Sequence, residues 1–455
     1  MGLRFLTNGA LVGDTLADAL QTRDAARLRR YREYLDFYEG KHWLRPRKGR
    51  SSLTLNYARA VVDKGVSYLL GRGLGFAVPA EAGGLGPEAA QRAERLLYEV
   101  YQDNDLDTVD LAAALNAALL GDAVFKLFYD PADGRIRVVN VDPLGFFPRW
   151  SGDDLGALWR VDLAYRLAGE EAERLYGRSF DKLGTGGEVA VVERWTATEF
   201  SLSFDGRVIR SGPNPYGFIP FVHLPNLQPP NENWGVSDLR DLIGLNRALN
   251  ERMSDQADLI RYHADPPVVF RGVSDHTDLA VGPGTVWDIP ADAEVKLLEW
   301  QGTAPAVGDH LDRLLRAIYE VSETPRTAFG DSGRLLSGVA LETELRPLIQ
   351  KTLRKRVTWT AALRRRNAMI LKLAERYGLG GAGPGEFAPY RTRVIWPPMI
   401  PKDDAQEVQN NLALVQAGLR SHRTAMDALG TEDPESELNR VLEDRARLAP
   451  TNPSP

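Results

Sequence analysis

The sequence predicts an α+β protein, and three observations carry that prediction. Apolar residues recur at helical spacing from residue 23 onward. Short segments between residues 123 and 204 read as strands separated by turn residues. From residue 235, long helical stretches enclose a small β-rich unit.

Residues 23–39 place Leu28, Tyr31, Leu35 and Tyr38 on one helical face, and Gly40 stops the helix. Residues 55–70 make a second apolar-faced helix, and 87–102 a third. The third opens at Pro87, whose fixed φ suits the first helical position. Ala123–Tyr129 reads as a strand, Asp130–Gly134 as a turn and Arg135–Val141 as the returning strand. Further strands are expected at 157–166, 188–196 and 199–204, with a turn at Phe204-Asp205-Gly206. Residues 1–230 therefore form one α+β domain.

Gln228–Trp234 is rich in breakers and marks a boundary. Ser237 follows as the N-cap of a helix with Asp238 and Asp241 in its first turn, where carboxylates oppose the helix dipole. The helix runs to about Ala264, roughly 40 Å, and stops at Pro266-Pro267. A small β unit is expected over 267–300: Val268–Phe270, a Gly282-Pro283-Gly284 turn, Thr285–Ile289 and Val295–Trp300. Asp309–Val321 is helical and ends at Ser322–Pro325. A loop containing Gly330 and Gly333 leads to Gly338, where a helix of roughly 60 Å begins and runs to Tyr377. Pro347 lies inside it and predicts a kink, since proline removes one hydrogen bond and clashes with the preceding turn. Tyr390–Trp396 reads as one more strand. Residues 403–447 read as two or three amphipathic helices, and the Pro-rich tail from Ala449 as disordered.

Composition removes several function classes. The 455 residues include no cysteine, which excludes disulfides, thiolate catalysis and Cys-based metal sites. The six histidines are scattered and form no HExxH pattern, so no zinc site is expected. No run of 18 apolar residues predicts a membrane span, and the N-terminal residues lack the apolar core of a signal peptide. Net charge is −6, against tight binding along a DNA surface. The charge is unevenly placed. Residues 235–301 carry 12 Asp/Glu against 6 Lys/Arg, whereas residues 338–378 carry 10 Lys/Arg against 3 Glu.

Several motifs invite a chemical reading. Gly330-Asp331-Ser332-Gly333 is the tetrapeptide around a serine protease nucleophile, but Arg334 follows and no histidine context supports a triad. Gly71-Arg72-Gly73-Leu74-Gly75 follows a helix, not the strand that a dinucleotide fingerprint needs, and reads as a helix stop. There is no GxxxxGK[ST] and hence no expected ATP hydrolysis. Glu251, Asp255 and Asp258 share a helical face: a solvated stripe, paired-carboxylate chemistry or, in a ring of copies, an acidic wall. Arg354, Lys355 and Arg356 with Arg364, Arg365 and Arg366 suit intersubunit pairing, phosphate contact or a solvated face.

Taken in order, a set of motifs resembles the portal, or head-to-tail connector, proteins of tailed double-stranded DNA bacteriophages. Tyr34-Leu-Asp-Phe-Tyr38-Glu-Gly40 and Leu53-Thr-Leu-Asn56-Tyr-Ala-Arg-Ala-Val61-Val-Asp63 resemble the family's early helices. Trp234-Gly235-Val-Ser237-Asp-Leu, continuing to Ala248-Leu-Asn250-Glu-Arg-Met-Ser254, resembles its first stem helix. Ser337-Gly338-Val-Ala340-Leu341 resembles the helix start beyond the tunnel loop, and Val394-Ile-Trp-Pro397-Pro-Met-Ile-Pro401-Lys-Asp403 the strand leading to the crown. Gly418-Leu-Arg-Ser421 and Glu435-Ser-Glu437-Leu resemble crown motifs, so the likeness spans about 30–447.

The resemblance implies a wing at 1–234, a stem helix at 235–264, a clip at 265–303 and a second stem helix at 304–322. It implies a tunnel loop at 323–337, a long kinked helix with a returning wing strand at 338–400, and a crown with its tail at 401–455. It also implies a homo-oligomeric ring, usually of twelve subunits, at one capsid vertex of the virion, assembled in the bacterial cytoplasm. Double-stranded DNA would pass along Arg326, Thr327, Phe329, Asp331, Ser332 and Arg334, with Glu251, Asp255 and Asp258 as an acidic channel wall. The implied partners are the terminase large subunit, scaffolding and major capsid proteins, and a head-completion adaptor. No catalysis, cofactor or membrane is implied. The rivals are a serine hydrolase using Ser332 and a monomeric DNA-binding scaffold using the 354–366 cluster.

Overall fold

The computed structural model describes residues 16–45, 50–71, 73–80, 84–154, 156–176, 187–264, 268–271, 294–297, 304–331, 338–399, 404–429, 431, 437–438 and 440–443. The chain divides into two compact units, residues 1–397 and 398–455.

The first unit opens with α1 (Leu16–Arg23), α2 (Ala25–Tyr38) and α3 (Tyr57–Leu70), followed by the short strand β1 (Gly75–Ala77). Gly71 ends α3 with a φ of 62°, so the glycine-rich stretch is the helix stop that its position suggests. Next come α4 (Pro87–Asp103) and α5 (Leu106–Leu120). The helix α5 escaped the sequence pattern because its Ala-rich middle is apolar on most sides; Ala113, Ala114, Ala117 and Ala118 are all buried.

Seven strands and one helix follow: β2 (Asp122–Asp130), β3 (Arg135–Val141), β4 (Phe146–Trp150), β5 (Leu158–Ala168), α6 (Gly169–Tyr176), β6 (Glu188–Trp195), β7 (Glu199–Phe204) and β8 (Arg207–Pro213). With β9 (Phe221–Pro225), they make two antiparallel sheets. The first has the order β3-β2-β9 and the second is the meander β4-β5-β6-β7-β8. Mixed helices and antiparallel sheets make the α+β class expected.

The remaining elements are α7 (Leu242–Ala264), β10 (Val268–Arg271), β11 (Glu294–Leu297), α8 (Ala304–Val321), α9 (Gly338–Tyr377) and β12 (Arg393–Ile395). Strands β10 and β11 pair antiparallel; the Gly282 turn and the Thr285–Ile289 strand lie outside the described residues. The 390–396 strand is shorter than expected. Tyr390 takes a φ of 61°, which breaks extended pairing, and only Arg393–Ile395 meet β1. Helix α9 continues through Pro347 as one element. The second unit holds α10 (Asp404–Gln416) and α11 (His422–Ala428).

The main core gathers α1–α5, β2 and the inner face of α9. Trp359, Ala362, Leu363, Ile370 and Leu371 of α9 are fully buried there. Each large apolar side chain contributes about 1.5–3 kcal/mol.

Candidate functional site: the loop between two long helices

The loop begins where α8 stops. Ser322 and Thr324 are buried, and Glu323 between them holds a φ of 53°, unusual for a residue with a Cβ. Side chains of α9 fix this foot from outside. Lys351 Nζ donates to Ser322 O at 3.1 Å, and Arg354 pairs with Glu323 at 2.5 Å. Arg326–Phe329 then forms one 3-10 turn, ended by Gly330 at a φ of 86°. Phe329 is half-buried, with the Lys64 ammonium 5.8 Å from its ring and Tyr319 at 6.0 Å. Arg326 and Asp331 pair with each other at 2.5 Å, so the loop cancels its own charge there. The Thr327 hydroxyl is buried with no hydrogen-bond partner among the described residues. Ser332 and Arg334 lie outside the described residues.

Lys351 also belongs to a buried ionic centre. Asp238 lies within 3.4 Å of Lys351 Nζ and bonds Lys355 Nζ directly, while Asn226 donates to it at 3.2 Å. Burial alone would raise the Asp238 carboxyl, but the two ammonium groups outweigh it and hold it at about 2. Burial pulls Lys355 down to about 8 despite Asp238. One carboxylate thus ties the start of the α7 segment to α9, and through Lys351 to the foot of the loop.

This centre corrects the expected start of the stem helix. Ser237 does not cap a helix opening at Asp238. Its hydroxyl donates to Leu119 O at 2.5 Å, closing the C-terminal end of α5, and accepts from Leu239 N at 3.0 Å. Asp238 is drawn into the protein, so regular helix begins only at Leu242.

Helix α7 uses one face as a pairing surface. Asn246, Asn250, Ser254 and Asp258 stand four residues apart, and each accepts from a backbone N–H of the segment 51–58. The donors are Ala58, Leu55, Leu53 and Ser51, each at 2.9 Å. Asn246 returns a bond to Leu55 O at 2.8 Å. The helix therefore satisfies an extended backbone as a neighbouring strand would. The acidic stripe is divided by this arrangement. Asp258 serves the ladder, Asp255 pairs with Arg252 at 2.9 Å, and Glu251 is exposed. The ladder is legible in the sequence as an Asn/Asn/Ser series at i, i+4, i+8.

Comparison with protein families decides what this assembly belongs to. The family model described as phage portal protein, SPP1 Gp6-like, matches residues 17–451, nearly the whole chain. The chain belongs to the phage portal protein family. No curated protein matches it. Membership makes this portal chain a structural component of a phage particle. It supports neither the hydrolase reading of Ser332 nor the monomeric scaffold reading. No described helix of the portal chain is long and apolar enough to cross a membrane. Among the described residues, no group of three or more His, Asp or Glu could hold a metal ion.

In the portal chain the basic cluster is not one surface. Lys355 is buried on Asp238. Arg366 is fully buried, clasping Asp110 and Tyr101 with the Phe125 ring 4.6 Å away. Arg356 donates to Pro397 O at 3.0 Å and Leu69 O at 3.2 Å, and burial lowers its pKa to about 10. Those three cations fasten α9 to its own chain and offer nothing to a phosphate or a neighbour. Arg354, Arg364 and Arg365 are exposed, with Arg354 on Glu323.

Proposed function

We propose that this portal chain closes into a ring of about twelve copies at one capsid vertex, through which the genome is packaged and later ejected. The observation that carries the reading is the loop between α8 and α9. Its foot is anchored by Lys351 and Arg354, while Arg326 is neutralised by Asp331 within the loop. Many free cations would bind phosphate tightly and in a salt-dependent way. An anchored loop with internally cancelled charge suits weak, sequence-blind contact with moving DNA. In this reading residues 323–337 line the channel together with Glu251 and Asp255 of the stem, and Pro347 bends α9 beyond the loop. Residues 265–303, as the clip, dock the terminase large subunit and afterwards the head-completion adaptor. Scaffolding and major capsid proteins seat the ring at the vertex during assembly in the bacterial cytoplasm.

The test is the particle mass of the purified chain by native mass spectrometry, with negative-stain images. The expected result is a particle of about a dozen copies with a central hole. A chain that stays monomeric at every concentration sinks the ring.

A further inference from the structure

Helix α9 carries a ridge that no described residue covers. Leu353 and Val357, one turn apart, are 51% and 70% exposed. Arg346 and Arg364, also exposed, stand on the same face on either side of them. Elsewhere on the chain lies a cleft of about 890 Å³ between α8, the loop foot and the start of α9. Its apolar lining comes from Leu315, Tyr319, Pro325 and Pro347. Its rim carries Asp312, Glu320 and Glu344, none of which is in an ion pair with a described residue, against one guanidinium, Arg316. The other charges of the cleft, Arg326 with Asp331 and Glu323 with Arg354, are already paired.

The ridge cannot fill the cleft of its own chain. At ~100° per residue, Leu353 and Val357 point ~180° and ~220° around the helix axis from Glu344, which lines the cleft. A knob and a complementary hole on different faces make a head-to-tail contact, the kind that closes into rings when repeated. We infer that the Leu353–Val357 ridge of one copy docks in the α8–loop cleft of a second copy, with Arg346 and Arg364 against its acidic rim. This rests on the ring reading above and gives it a specific seam, placed directly behind the loop.

The test uses one variant on each side of the seam: Val357→Asp with Arg364→Glu on the ridge, and Asp312→Arg with Glu320→Arg in the cleft. All four positions are exposed, so both proteins should melt like wild type. Each variant alone should need at least a tenfold higher concentration to assemble. An equimolar mixture should form mixed complexes at the wild-type concentration, because the intact ridge of one variant meets the intact cleft of the other. Since the chain has no cysteine, Val357→Cys combined with Glu320→Cys supplies a second measurement independent of those charges. Oxidation should give an interchain ladder with the double variant and none with either single one. Wild-type rings that persist in both charge variants, without a ladder, overturn the seam and leave the ring standing. A wild-type chain that never assembles overturns both.

Discussion

Gly235 and Gly121 pass each other backbone to backbone. A Cβ on Gly235 would lie 2.0 Å from Gly121 O, and neither atom can swing aside as a side-chain end would. Gly235→Ala should cost roughly 3 kcal/mol, the upper end for overpacking, read as a lower midpoint in urea unfolding. His42 makes a second residue-scale prediction. Its ring is buried, with Nε2 at 2.9 Å from Phe37 O and Nδ1 at 2.7 Å from the Asn250 amide. Burial lowers its pKa below the ordinary 6.5. The unfolded chain therefore binds this proton before the folded one does. Stability should be unaffected by this group above pH ~6.5 and fall as the pH drops below it. His42→Gln should flatten that part of the acid dependence; an unchanged slope in melts between pH 7 and 5 would exclude the assignment.

At the scale of elements, the Asp238 centre joins the α7 segment, α9 and the loop foot. Asp238→Asn leaves two buried ammonium groups without their carboxylate and should cost about 3–5 kcal/mol. Lys355→Met keeps the Asp238–Lys351 pair and removes a cation whose pKa burial lowers, so it should cost far less. Equal losses for the two variants in denaturant titrations would show that Lys351 alone cannot hold the carboxylate. The pH sign follows from the depressed carboxyl. Its stabilisation is complete above the ordinary 3.8 and is lost as pH falls through about 2. The Asn–Asn–Ser–Asp ladder of α7 likewise joins distant segments, since each side chain answers a backbone N–H of residues 51–58.

For the whole molecule, the loop is held at its foot by Lys351 and Arg354, closed on itself by Arg326 and Asp331, and seated on the core through Ala328 and Phe329. Deleting residues 332–334, which leaves the cleft residues Arg326, Thr327 and Asp331 in place, should keep assembly intact while impairing DNA packaging, checked by particle mass and by DNA protected from nuclease. Loss of assembly on shortening would make the loop a structural brace. Retained packaging would remove it from the path of the DNA.

Local pattern in the sequence was enough for α2, α3, α4, α9 and the β2–β3 hairpin, because helical and strand periods depend on neighbours a few residues apart. It was also enough for the family, since the ordered motifs survive as text. Part of the burial on α9 was legible too: Lys355 and Arg366 stand on the stripe marked by Trp359 and Ala362. What only the tertiary structure decided is which charges are free. Arg366 meets Asp110 across 256 residues, Lys355 meets Asp238 across 117, and Ser51 meets Asp258 across 207. A helical period tells which residues share a face, but whether that face meets water or a carboxylate depends on chain folded back from far away. The basic run therefore read as one patch, and the fold divides it between three internal fasteners and the cations left outside.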